Sequence, residues 1–121
     1  MNLELKRRIE KIALECAKSG WDGYEANAVT GTAVADAYAF AEKIDTSLLI
    51  PEVGSEPDGV LTFEWYRSAR QTLSVSVHGS GVLHYAALLG AAKAHGTEPF
   101  VAKVPKVISD LIDRVTNEEK W

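Results

Sequence analysis

The chain has 121 residues, 46% of them apolar and 25% charged, with a formal net charge of −4. That is the make-up of a single globular domain over residues 1–121; the apolar content excludes a disordered chain, and the lone Cys16 excludes a disulfide-stapled scaffold. Residues 21–66 hold nine acidic side chains against one basic and the longest basic run is Lys6-Arg7-Arg8, so a nucleic-acid partner, which needs clustered Lys and Arg, is not expected.

The first element is an amphipathic helix over residues 3–18, a pattern unlike the continuous apolar core of a signal peptide. Leu5, Ile9, Ile12, Ala13, Cys16 and Ala17 share one stripe, which makes Cys16 a small core hydrophobe. Gly20 stands where a left-handed cap would end the helix. In the loop Gly20-Trp21-Asp22-Gly23-Tyr24-Glu25-Ala26, two aromatics flank an Asp-Gly turn. Either Trp21 and Tyr24 pin the loop to the sheet while Asp22 holds the turn, or the two rings are exposed anchors of a recognition loop. The second helix starts at Thr30 or Thr32, either of which caps it through a hydroxyl. Its stripe is Val34, Ala37, Tyr38, Ala41, Ile44 and Leu48, and Pro51 follows its end.

The apolar period then changes from 3.6 to 2, which predicts strands over residues 60–66, 72–78 and 82–86. Gly79-Ser80-Gly81 is a hairpin turn, and residues 67–71 form a loop of about five residues. The apolar alternation sets Leu61, Phe63 and Trp65 opposite Val77, Val75 and Leu73, and Val77 and Val75 opposite Leu83 and Tyr85. One face is then apolar and needs helices over it. The other carries Thr62, Glu64, Tyr66, Thr72, Ser74, Ser76, His78 and His84 and can face water. Residues 88–92 extend or break the third strand, residues 93–96 read as a turn, and residues 97–101 as a short strand that Pro99 confines to an edge. A further edge strand is expected over residues 52–56. The last helix carries Val104, Val107, Ile108, Leu111, Ile112 and Val115 on one stripe, with Pro105 in its first turn. The expected fold is α+β and two-layered: three helices on one face of an antiparallel sheet of three to five strands, in the order α-α-β-β-β-α.

The segment Gly20 to Ala26, with Pro51-Glu52-Val53 and Pro57-Asp58-Gly59-Val60-Leu61-Thr62-Phe63-Glu64-Trp65, resembles an uncharacterised family of small bacterial proteins. Its members share a GWDGYGA-like loop and a later dG-x-[aliphatic]-x-[aromatic]-E-W strand. The match covers roughly residues 20–85 and departs from the pattern at Glu25, where glycine is usual. The resemblance implies a bacterial origin and the fold above, and brings no catalytic residues.

Hydrolase, phosphate-loop, zinc and dinucleotide motifs are absent from the sequence. On the polar face His78 and His84 fall on diagonal positions, but a third metal ligand is lacking, so neither a metal nor another cofactor is expected. Arg67 and Arg70 are either two exposed loop cations or a clamp for a carboxylate or phosphate. The leading expectation is an interaction or regulatory module in the cytoplasm, without membrane contact, that associates with itself or with another protein through Tyr66, His78 and His84 on the polar face. The alternative is a small-ligand-binding protein or enzyme with a pocket among Trp21, Asp22, Tyr24, Trp65, Arg67 and Arg70.

Overall fold

The structure is a computed structural model and describes residues 1–21, 23 and 27–117. Among these residues three helices and five strands run as α1 (Leu3–Glu15), α2 (Gly31–Lys43), β1 (Glu52–Ser55), β2 (Leu61–Ser68), β3 (Gln71–Val77), β4 (Val82–Leu89), β5 (Ala92–Pro99) and α3 (Lys106–Thr116). The strands form one sheet in chain order, each antiparallel to the next. The helices lie on one face, giving the expected α+β layers with β1 and β5 added at the edges.

Local chemistry explains the ends of the first two helices that frame the loop between them. Asn2 caps α1 by accepting the Leu5 N–H at 3.1 Å, and Thr30 caps α2 by accepting the Ala33 N–H at 3.1 Å. Helix α1 stops at Glu15, three residues before the expected end. The Cys16 carbonyl, which would have continued the helix, accepts the N–H of Val29 at 2.9 Å instead. The returning chain thus ends the helix. Arg8 ties α1 to the sheet: its Nη1 donates to the Pro51 carbonyl at 2.8 Å and pairs with Glu52 at 3.2 Å.

The buried stripe of α2 is Ala33, Ala37, Phe40 and Ala41. The sequence stripe was centred elsewhere: Val34, Tyr38 and Ile44 only flank the core, and Leu48 is exposed. Three alanines at spacing four bring the helix close to the sheet, and Phe40 fills the space between them. Its ring meets Phe63 at 5.0 Å, Phe100 at 6.0 Å and Trp65 at 6.5 Å, the latter two edge-on.

The registers of β2 with β3 and of β3 with β4 match the expectation pair by pair, from Leu61 opposite Val77 to Val75 opposite Tyr85. The loop at 67–71 is shorter than expected. Ser68 pairs with Gln71, so Ala69 and Arg70 alone make the turn, and the register shifts between Tyr66 and Ser68. Residues 93–96 are not a turn. They lie in β5, which pairs with β4 along its whole length from Leu89 opposite Ala92 to Val82 opposite Pro99. Among the described residues no helix lies against β5, so its inward side chains need no bulk and the apolar alternation that marks a strand is missing. Gly96 accommodates Tyr85, since a Cβ there would stand 2.7 Å from the tyrosine oxygen. Gly79 turns β3 into β4 at φ +83° against the start of α2, where a Cβ would be 2.7 Å from the Ala33 nitrogen.

Trp65 is fully buried, and its indole nitrogen has no hydrogen-bond partner among the described residues. Phe40→Ala should therefore cost about 3–5 kcal/mol, because it empties the centre of the aromatic cluster. Trp65→Phe should cost less than about 1.5 kcal/mol, because the unpaired donor leaves with the lost volume. Urea denaturation of the two variants gives the comparison; an equal loss for both would contradict this account.

Candidate functional site

The helices leave the second face of the sheet uncovered, and the strand register sets its side chains in transverse rows. Thr62, Ser76, His84 and Thr97 form one row, Glu64, Ser74, Ala86 and His95 the next, and Tyr66, Thr72, Leu88 and Lys93 the third. Ser74 and Ala86 are short and sit in the middle of their row. They floor a depression of about 290 Å³ whose rim includes Glu64 on β2 and Lys93 and His95 on β5. Three strand spacings of about 4.8 Å separate Glu64 from His95, so their backbones are roughly 14 Å apart. The carboxylate and the basic groups cannot pair within one chain, and among the described residues no other side chain pairs with them.

The row through His84 is held in place. The Thr62 and Ser76 hydroxyls are 3.3 Å apart, and the Thr97 hydroxyl lies 2.9 Å from His84 Nδ1. His78 and His84 meet edge to face, with ring centres 4.5 Å apart. This is the diagonal contact expected from the register. Among the described residues no group of three His, Cys, Asp or Glu side chains is placed to hold a metal ion.

The other residues singled out in the sequence are dispersed. Tyr66 stands on the open face with 59% of its surface exposed, two rows from His84. Its neighbour Trp65 points the opposite way, into the core. Trp21 is half-buried and donates its indole N–H to the Asn27 carbonyl at 2.7 Å. Gly23 supplies the turn with φ +82°, its N–H bonded to the Gly20 carbonyl. Asp22, Tyr24 and Glu25 lie outside the described residues.

The two arginines also part company. The irregularity between Tyr66 and Ser68 aims Arg67 at the end of α3, where Nε donates to the Val115 carbonyl at 2.8 Å and Nη2 to the Thr116 carbonyl. A cation at these last carbonyls also favours the helix dipole. Arg70 turns to the next hairpin: Nε donates to the Gly90 carbonyl at 2.9 Å, and the Gly90 N–H donates to the Arg70 carbonyl at 2.7 Å. Trp21, Trp65, Arg67 and Arg70 therefore point at four different places. Lys93 and His95 are not placed on this face by the sequence, because residues 93–96 read as a turn, and Leu88 lies where the sequence lets the third strand extend or break. The signal that marks them is Gly90, which with Ala91 makes a two-residue hairpin turn after Leu89.

Cys16 is 4% exposed, on the helix side of the sheet. Burial pushes its thiol above the ordinary value, the Glu15 carboxylate adds to the rise, and a hydrogen bond with Ser55 opposes it. Iodoacetamide at neutral pH should therefore label the native protein slowly and the urea-unfolded protein at the rate of a free thiol, as mass spectrometry would show. For the arginines, Arg67→Ala should lower stability by about 1–2 kcal/mol through the lost charged hydrogen bonds, a figure reduced for partial exposure. Arg70→Ala should change it by less than about 0.5 kcal/mol. Thermal melts separate the two, and equal effects would count against Arg67 as an anchor of α3. Among protein-family models, curated proteins and solved structures, none matches the chain.

Proposed function

We propose that the protein is a non-catalytic interaction module that seats another protein surface on the open face of its sheet. The resemblance of residues 20–85 supports a bacterial origin, and the cytoplasm is proposed as the setting alongside it. The observation that carries this reading is the make-up of that face: an exposed Tyr66 and half-buried Leu88 and Val82, around a floor of Ser74 and Ala86. Aromatic rings on a rigid, well-ordered surface are what protein interfaces use as anchors.

Magnitude favours a protein over a small ligand. The depression of about 290 Å³ is at the bottom of the range of roughly 300–1,000 Å³ in which ligands are mostly enclosed. It is open above a flat sheet and leaves a small molecule largely in water. Electrostatics favour a protein over nucleic acid. Among the described outward residues of β2 to β5, Lys93 is the one Lys or Arg, and Glu64 adds a negative charge; a phosphate backbone needs several cations.

A photo-crosslinking residue tests the reading. Placed at position 66 it should give a covalent protein adduct in living cells, whereas at the exposed Ala35 on α2 it should give none. Absence of any adduct from position 66, in a variant whose circular dichroism matches the parent, would remove the reading.

A further inference from the structure

We infer that the partner is a second copy of this chain, stacked face to face on the open sheet about a two-fold axis that runs along β3. The inference rests on the reading above, that the open face docks protein, and names the occupant. The argument comes from the charge and shape of the rows. Glu52 is drawn to Arg8 at 3.2 Å, which leaves Glu64 as the unpaired carboxylate among the described residues of this face. It stands on β2, one strand from the centre. Lys93 and His95 stand on β5, two strands from the centre on the other side.

Two sheets stacked in an aligned sandwich admit two in-plane two-fold axes. An axis across the strands lays β2 on β2 and β5 on β5 of the second copy. That sets each carboxylate above the partner's acidic side and each cation above its basic side, with no charge matched. An axis along β3 lays β2 of one copy on β4 of the other and β1 on β5, and keeps each row over itself. Glu64 then stands over Ala86 and beside His95 and Lys93 of the second copy. Tyr66 stands over Leu88 beside Lys93, which sets an ammonium near an aromatic ring. Ser74 meets its own copy at the axis, where a short side chain is needed for close approach. Each contact occurs twice. The charges that are too far apart to pair within a chain are paired between chains.

The size of the face sets the strength. Four strands of about seven residues, at about 4.8 Å and 3.4 Å, cover roughly 19 by 24 Å, and the four-residue β1 adds roughly 5 by 14 Å. That is about 500 Å² per copy and about 1,000 Å² in all, at the lower limit for specific protein pairs. A pair this small is expected to be reversible and dependent on concentration.

Sedimentation velocity of the purified chain over a 1,000-fold concentration range tests this. The parent should pass from monomer to dimer, with weaker association at higher salt. Glu64→Lys should weaken the dimer at least 10-fold, and so should Lys93→Glu combined with His95→Glu. All three changes together should restore most of the loss, because they exchange the two sides of the same contact. Ser74→Arg should leave a monomer with an unchanged circular dichroism spectrum. A parent that stays monomeric at every concentration overturns the proposal, as does a triple variant no better than Glu64→Lys alone. The crosslink from position 66 then separates the two failures. An adduct at twice the chain mass supports the second copy, an adduct of another mass overturns it and leaves the docking face standing, and no adduct removes both.

Discussion

The insertion of Phe40 between two alanine-lined turns of α2 and the aromatic rings below it decides much of this architecture. Phe63 and Trp65 from β2 and Phe100 from the segment after β5 all converge on that one ring. A single side chain thus joins three parts of the chain that are far apart in sequence. Because Ala33, Ala37 and Ala41 are small and fully or almost fully buried, the helix comes close enough for Phe40 to reach them. The helices then have to lie on the face that carries these rings. The other face of the same strands is left to water or to a partner.

Trp65 and Tyr66 show the consequence within two residues. A strand sends successive side chains to opposite faces, so the tryptophan ends in the core with no exposed surface and the tyrosine ends outside with more than half of its surface exposed. The division is maintained by register. A one-residue slip of β2 would carry Leu61, Phe63 and Trp65 into water together, and the lost burial of three large side chains, at roughly 2 kcal/mol each, prevents it. The outward residues contribute little to this locking. Thr62 and Ser76 meet each other through their hydroxyls, and Ser74 and Thr72 add no apolar bulk to the core, so their identities are free to serve what lies against them.

This asymmetry also explains what was legible in the sequence. The inward residues of β2, β3 and the first half of β4 alternate with polar ones because they pack against helices. Their period, partners and even the contact of His78 with His84 follow from that alternation. Among the described residues β5 has no helix against it, and Ala92, Ala94 and Gly96 give no apolar signal; only its end, residues 97–99, falls within the short edge strand expected over 97–101, and its first five residues are invisible to any argument from periodicity. The face of α2 failed for a related reason. Val34 with Tyr38 and Ala33 with Phe40 are nearly equivalent stripes about one residue apart, and only the aromatic rings of the sheet decide between them. The early end of α1 depends on the Val29 N–H, and the position of Arg67 on an irregularity in β2. Both are contacts between segments far apart in sequence.

The unpaired edge and the unpaired face are unequal in what they offer. The outer edge of β5 exposes backbone groups, which pair with any extended chain and so carry little selectivity; Pro99, with no N–H to donate, limits even that. The face is selective, since it sets a carboxylate on one side of β3 and an ammonium with an imidazole on the other, across a floor of short side chains. Such a pattern matches a surface with the reverse order of charges. Rotating the sheet by half a turn about β3 produces that order, so the surface most readily complementary to this face is the face itself.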